Sequence, residues 1–198
     1  MSQIGLKPVT QSRKRYVTST MVLRWASVVF EGESYSLEHL SASTRELVIA
    51  PNVRAPERRI CLAVTYGLHC FSISIDDVKS TNLVVRDGRE QRAFDLARYR
   101  LSLALPEIVA SLELRRCFHT GHRNFFTVEL VDEQGHKQDY VIYFRTWRAA
   151  AGEAGDVRLH VESAYLRSDA PQRHKKSIRF KVIVANTYTG KEIHEPKN

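Results

Sequence analysis

Three stretches in the second half of the chain alternate apolar and polar residues with a period of two, and that alternation commits the chain to a sheet. Phe126, Val128 and Leu130 oppose Thr127 and Glu129; Tyr140, Ile142 and Phe144 oppose Val141, Tyr143 and Arg145; Leu159, Val161 and Ser163 oppose His160 and Glu162. Successive strand side chains point to opposite faces, so each stretch offers one side to a core. The connections VDEQGH and AAAGEAGD hold the glycines that turns favour. Ile178 to Val184 reads as a last strand.

Helical spacing precedes this meander. Phe94, Ala97, Leu101, Leu105, Ile108 and Leu112 recur at three- and four-residue steps and form one apolar stripe. Pro106 interrupts it, so either the helix kinks there or a second helix begins with proline in its first turn. Further upstream, Val22–Phe30, Glu46–Ala50 and Ile60–Ile75 read as strands, with Gly67 marking a bulge or break. The predicted fold class is α+β: an antiparallel sheet packed on a long helix, with a β-rich N-terminal region. Residues 1–20 are expected to be a disordered basic arm, 21–88 the β-rich region, 89–185 the helix and sheet, and 186–198 a polar tail.

Charge is distributed unevenly. The first 25 residues hold five basic residues and no acid, and residues 165–198 hold eight basic against three acidic. Seventeen basic and nineteen acidic residues remain between them, within a net charge of +8. A near-neutral body with two basic ends suits a polyanion, nucleic acid before membrane. No run approaches the ~20 apolar residues needed to span a bilayer, and the N-terminus lacks the apolar core of a secretory signal. Cys61, Cys70 and Cys117 are three in number with no CxxC, which points to reduced thiols and a cytoplasmic address.

The stretch Cys117 to Leu130, CFHTGHRNFFTVEL, crowds two histidines, an arginine and an asparagine ahead of the first alternating strand. With Arg145 leaving the second strand and Ser163 and Tyr165 ending the third, these groups suit metal-free RNA cleavage. A histidine takes the proton of a 2′-hydroxyl, a second acid protonates the leaving 5′-oxygen, and an arginine stabilises the phosphorane. His119 and His122 are the candidate base and acid, with Arg145 as the catalytic cation. Arg123, Asn124, His69, Ser163, Tyr165, Lys175 and Lys176 are the candidate substrate contacts. The scheme needs no metal and no cofactor.

A helix followed by an antiparallel sheet in a basic chain resembles the barnase–EndoU–colicin–RelE group of nucleases over roughly residues 89–166. The histidines of HTGHRN look like that group's acid/base positions, and Ser163 to Tyr165 resembles its polar last-strand position. The resemblance implies a ribonuclease of toxin or effector type, with a cognate inhibitor or partner protein. Two other readings remain open. Cys117, His119 and His122, completed by His69 and Cys70, offer ligands for zinc. Alternatively the chain is a non-catalytic accessory that binds nucleic acid or protein through its basic termini, with His119 and His122 merely capping their loop.

Overall fold

The computed structural model describes residues 25–51, 53, 56–77, 83–121, 124–133, 136–167 and 176–195. The expected basic arm at 1–20 lies outside them. β1 (Val28–Phe30) and β2 (Glu33–Tyr35) form a hairpin, followed by a 3-10 turn at Glu38–Leu40. Next come β3 (Ser43–Ile49), β4 (Arg58–His69), β5 (Ser72–Ile73), and the hairpin of β6 (Val84–Asp87) and β7 (Glu90–Phe94). Two short helices, α1 (Leu96–Ser102) and α2 (Leu105–Ala110), lead to β8 (Arg116–His119). β9 (Phe125–Glu133), β10 (His136–Arg148) and β11 (Val157–Arg167) make the meander. β12 (Ile178–Arg179) runs directly into α3 (Phe180–Thr189).

Among the described residues, seven strands join in the order β12-β8-β9-β10-β11-β4-β3, a curled sheet resembling half a barrel. A second sheet has the order β5-β7-β6. One side of the large sheet is the main core: Ile60, Leu62 and Val64 of β4 meet Val157, Leu159 and Val161 of β11 and Tyr140, Ile142 and Phe144 of β10. α3 closes this side, burying Phe180, Ile183 and Val184. Thr187 continues that face, its hydroxyl 2.8 Å from Thr146 Oγ1 on β10. On the opposite side Phe118, Phe126 and Val141 form a smaller cluster with Val128 and Tyr143.

The expected class, an antiparallel sheet packed on a long helix, is not what forms. The protein is mostly β, and its helices are short. The apolar stripe from Phe94 to Leu112 divides at Leu103–Ala104 because Pro106 sits in the first turn of α2. Proline has no N–H to give the preceding turn, and its ring clashes with the carbonyl four residues back. Asp95 caps the first piece, its Oδ1 accepting the Arg98 N–H at 2.7 Å. The helix that covers the sheet is α3, from a run read as strand. FKVIVA is β-branched, but its buried positions 180, 183 and 184 follow helical spacing, and a short apolar run does not separate the two periods.

Nor is the sheet wholly antiparallel, since β11 pairs parallel with β4. The loop before β11 fixes that pairing. Asp156 N–H donates to the Cys61 carbonyl at 2.7 Å, and its Oδ2 accepts the Cys61 N–H at 2.8 Å. Gly155, at φ +74°, brings the two backbones so close that a Cβ would lie 2.8 Å from the same carbonyl oxygen. The upstream β region thus contributes two strands to the sheet built by the meander.

Candidate functional site

Where the two sheets meet, the chain leaves one for the other. β4 ends at His69, turns through Cys70 and Phe71, and enters the second sheet as β5. Arg98 of α1 holds this crossing, donating from Nη1 to the carbonyls of His69 (3.2 Å) and Ser72 (2.8 Å). A cleft of about 370 Å³ opens beside it. β4 supplies Gly67, Leu68 and His69; the β6–β7 hairpin supplies Asp87 and Glu90; β11 supplies His160, Glu162 and Ser163.

A bulge in β11 aims its residues into this space. Phe144 pairs with Val161 and Tyr143 with Ser163, so Glu162 is an extra residue against β10. On the other flank Tyr66 pairs with Val161 and His69 with Ser163, leaving Gly67 and Leu68 opposite Glu162. An extra residue shifts the alternation that follows it. Ser163, expected on the core face with Leu159 and Val161, therefore lines the cleft, and Ala164 is buried in its place.

The ionisable groups of the cleft are paired. His69 Nε2 lies 2.5 Å from Glu90 Oε1, and the Arg92 guanidinium lies 3.6 Å from the same oxygen. His160 Nδ1 lies 2.9 Å from the Thr65 hydroxyl. Glu162 takes Arg145 Nε on one oxygen at 3.2 Å and the Asn124 amide on the other at 2.5 Å. His69 is 39 % and Glu90 46 % exposed, so solvent reaches the pair and its net stabilisation is at most about 1 kcal/mol. Its effect is on orientation: Glu90 holds the ring by its Nε2. Imidazoles, carboxylates, a hydroxyl and a nearby guanidinium in one open cleft are equipped to move protons and to hold an anionic group.

The pattern that defines the YjaZ family matches residues 27–188, a span holding every strand of both sheets and every residue of the cleft. The chain belongs to the YjaZ family. No curated protein and no solved structure matches it. The YjaZ match runs from the β1 hairpin almost to the end of α3 and therefore takes in the parallel β4–β11 pair on which the cleft is built.

Within that YjaZ span, the expected site residues are distributed unevenly. His69 and Ser163 line the cleft, and Arg145 and Asn124 adjoin it through Glu162. Tyr165 lies farther along β11, stacked on Tyr143; burial, then the neighbouring Tyr143 hydroxyl, pushes its phenol pKa up. His119 does not line the cleft. It is 6 % exposed, its Nδ1 accepts the Gly121 N–H at 2.9 Å, and its ring meets Phe125 edge-on. Lys176 is exposed just before β12, while His122, Arg123 and Lys175 lie outside the described residues.

Of the zinc candidates, His122 lies outside the described residues. Burial pushes the Cys70 and Cys117 thiols up to about 12, and among the described residues no three His, Cys, Asp or Glu side chains are placed to hold a metal ion. Nor is any described helix long and apolar enough to cross a membrane.

Sequence reasoning missed Asp87, Glu90, His160 and Glu162. For two of these the signal was present: alternation set His160 and Glu162 on the polar face of their strand. Asp87 and Glu90 carried none, because they flank an ordinary hairpin turn, DGRE, whose meeting with His69 depends on how the two sheets dock.

Proposed function

We propose that the cleft cleaves RNA by general acid–base catalysis. The observation that carries this reading is that His69 and His160 line one open cleft together with Glu90, Glu162 and Ser163. In the reaction one imidazole takes the proton of a ribose 2′-hydroxyl, whose oxygen attacks the adjacent phosphorus. The bond to the 5′-oxygen breaks, a 2′,3′-cyclic phosphate forms, and the second imidazole protonates the departing oxygen. Arg145, positioned by Glu162, stabilises the charge that gathers on the phosphorane. Glu90 fixes the His69 ring, and Ser163 hydrogen-bonds the substrate. Glu90 is matched by His69 and Arg92, and Glu162 by Arg145 and Asn124, so a phosphate does not meet bare negative charges there.

The resemblance to the barnase–EndoU–colicin–RelE nucleases belongs to this proposal. Support comes from the order of helices and meander over residues 89–166 and from the basic ends of the chain. Both proton transfers are assigned to side chains, so cleavage is expected to proceed in EDTA. Purified protein incubated with a labelled oligoribonucleotide is expected to yield cyclic-phosphate ends, and His69→Ala or His160→Ala to abolish them. RNA left intact at high protein concentration removes the proposal, as does unaltered cleavage by both variants.

A further inference from the structure

On the face of the large sheet away from the main core, four aromatic rings stand in a row across four adjacent strands. Phe118 of β8 stacks on Phe126 of β9, with centroids 5.2 Å apart and planes 24° apart. Phe126 meets Tyr143 of β10 at 5.7 Å and 39°, and Tyr143 stacks on Tyr165 of β11 at 5.6 Å and 21°. The row grades from buried to open: Phe118 and Phe126 are 6 % and 0 % exposed, whereas Tyr143 and Tyr165 are half-buried. Guanidinium groups gather at the open end. Arg98 lies 5.2 Å above the Tyr165 ring, and Arg167 donates to the Tyr143 hydroxyl at 3.1 Å. Arg145 follows Tyr143 by two residues on β10, its side chain half-exposed and its guanidinium over the Trp147 ring.

The open end of the row adjoins the cleft. Tyr165 follows Ser163 by two residues on β11, and Tyr143 pairs in register with Ser163. A graded aromatic row ending in arginines is unlike the all-polar solvent face of an ordinary sheet. It combines the two features that hold unpaired nucleotides: π surfaces that accept any base and cations for the phosphates between them. A duplex, whose bases are stacked inward, offers nothing to the rings.

We infer that this sheet face docks single-stranded RNA through Tyr143 and Tyr165 and leads the strand past Arg145 into the cleft. The inference rests on the cleavage reading for its substrate, but it is tested by binding. The variant His69→Ala/His160→Ala is titrated into a fluorescein-labelled single-stranded oligoribonucleotide of about 12 nucleotides and into its duplex form, with anisotropy read at fixed salt. The single strand is expected to bind at least about tenfold more tightly than the duplex. Adding Tyr165→Ala is expected to weaken single-strand binding about tenfold or more, and adding Tyr165→Phe to preserve it. Because the alanine change also removes packing, Arg167→Gln, outside the residues assigned to cleavage, provides a second variant, expected to lower the salt slope by about one.

Equal affinity for single strand and duplex overturns the inference, as does a Tyr165→Ala protein that binds like its parent. The two proposals fail separately. Wild-type protein that binds single strands without cutting them loses the cleavage reading and keeps the platform; protein that cuts while its platform variants bind and cut normally loses the platform alone.

Discussion

Gly67 on β4 lies so close to His160 on β11 that a methyl group in place of its hydrogen would sit 3.1 Å from Nε2 of the imidazole. The same methyl would meet the carbonyl oxygens of Glu162 at 2.9 Å and Val161 at 3.2 Å. The imidazole can swing away, but the carbonyls belong to a paired strand and cannot. Gly67→Ala is therefore expected to cost about 1–3 kcal/mol, the range for overpacking a tight interior, read as a lower urea midpoint. A midpoint equal to that of the wild type would show that the β4–β11 pair yields easily.

Tyr140 makes the opposite case. Its ring is fully packed, yet its buried hydroxyl has no hydrogen-bond partner, and burial holds its pKa well above the usual phenol value. An unmade hydrogen bond of a buried group costs about 1–3 kcal/mol. Tyr140→Phe keeps the packing and removes that cost, so equal or higher stability is expected in chemical denaturation. A clear loss of stability would reveal a bonded hydroxyl.

His39 joins the first 3-10 turn to α1, with Nε2 2.8 Å from Ser102 Oγ and the ring edge-on to Tyr99. Burial lowers its pKa from the usual 6.5. The unfolded chain then binds the proton more readily than the folded one, so the stability His39 confers is complete above pH about 6.5 and lost as pH falls below it. Urea midpoints measured between pH about 7 and about 5 are expected to decline less steeply in His39→Gln than in the wild type. Identical slopes would remove His39 from the acid response.

The three cysteines are free thiols, with Cys70 and Cys117 buried and Cys61 partly exposed. Burial raises the pKa of all three, to about 12 for the first two, and the reactive species is the thiolate. A disulfide exchange reagent at neutral pH is expected to modify native protein slowly and at Cys61 first, and all three thiols promptly in denaturant. Fast modification of Cys70 in the native state would contradict its burial.

Much of the fold was legible because its strands are amphipathic. The strands β9, β10 and β11 read from alternation, though not which face of β9 meets the main core, and Pro106 offered a kink or a new helix without deciding between them. α3 was not legible, since β-branched residues filled a helical face that only tertiary packing selects. The site was partly legible. His69, Arg145, Asn124 and Ser163 carry types suited to chemistry, and the structure brings them to or beside one cleft. His119 looked the same in sequence but sits in packing. The parallel pairing of β4 with β11 separates these outcomes, and no local pattern encodes which distant strand becomes a neighbour.

That pairing also has a consequence for when the protein becomes competent. The Cys61–Asp156 hydrogen bond joins residues 95 positions apart, and two walls of the cleft lie on either side of that gap. Long-range strand pairing is slow to form, and a chain emerging from the ribosome lacks the wall of His160, Glu162 and Ser163 until β11 follows. A fragment ending before β11 never closes the cleft, however well its earlier strands pair.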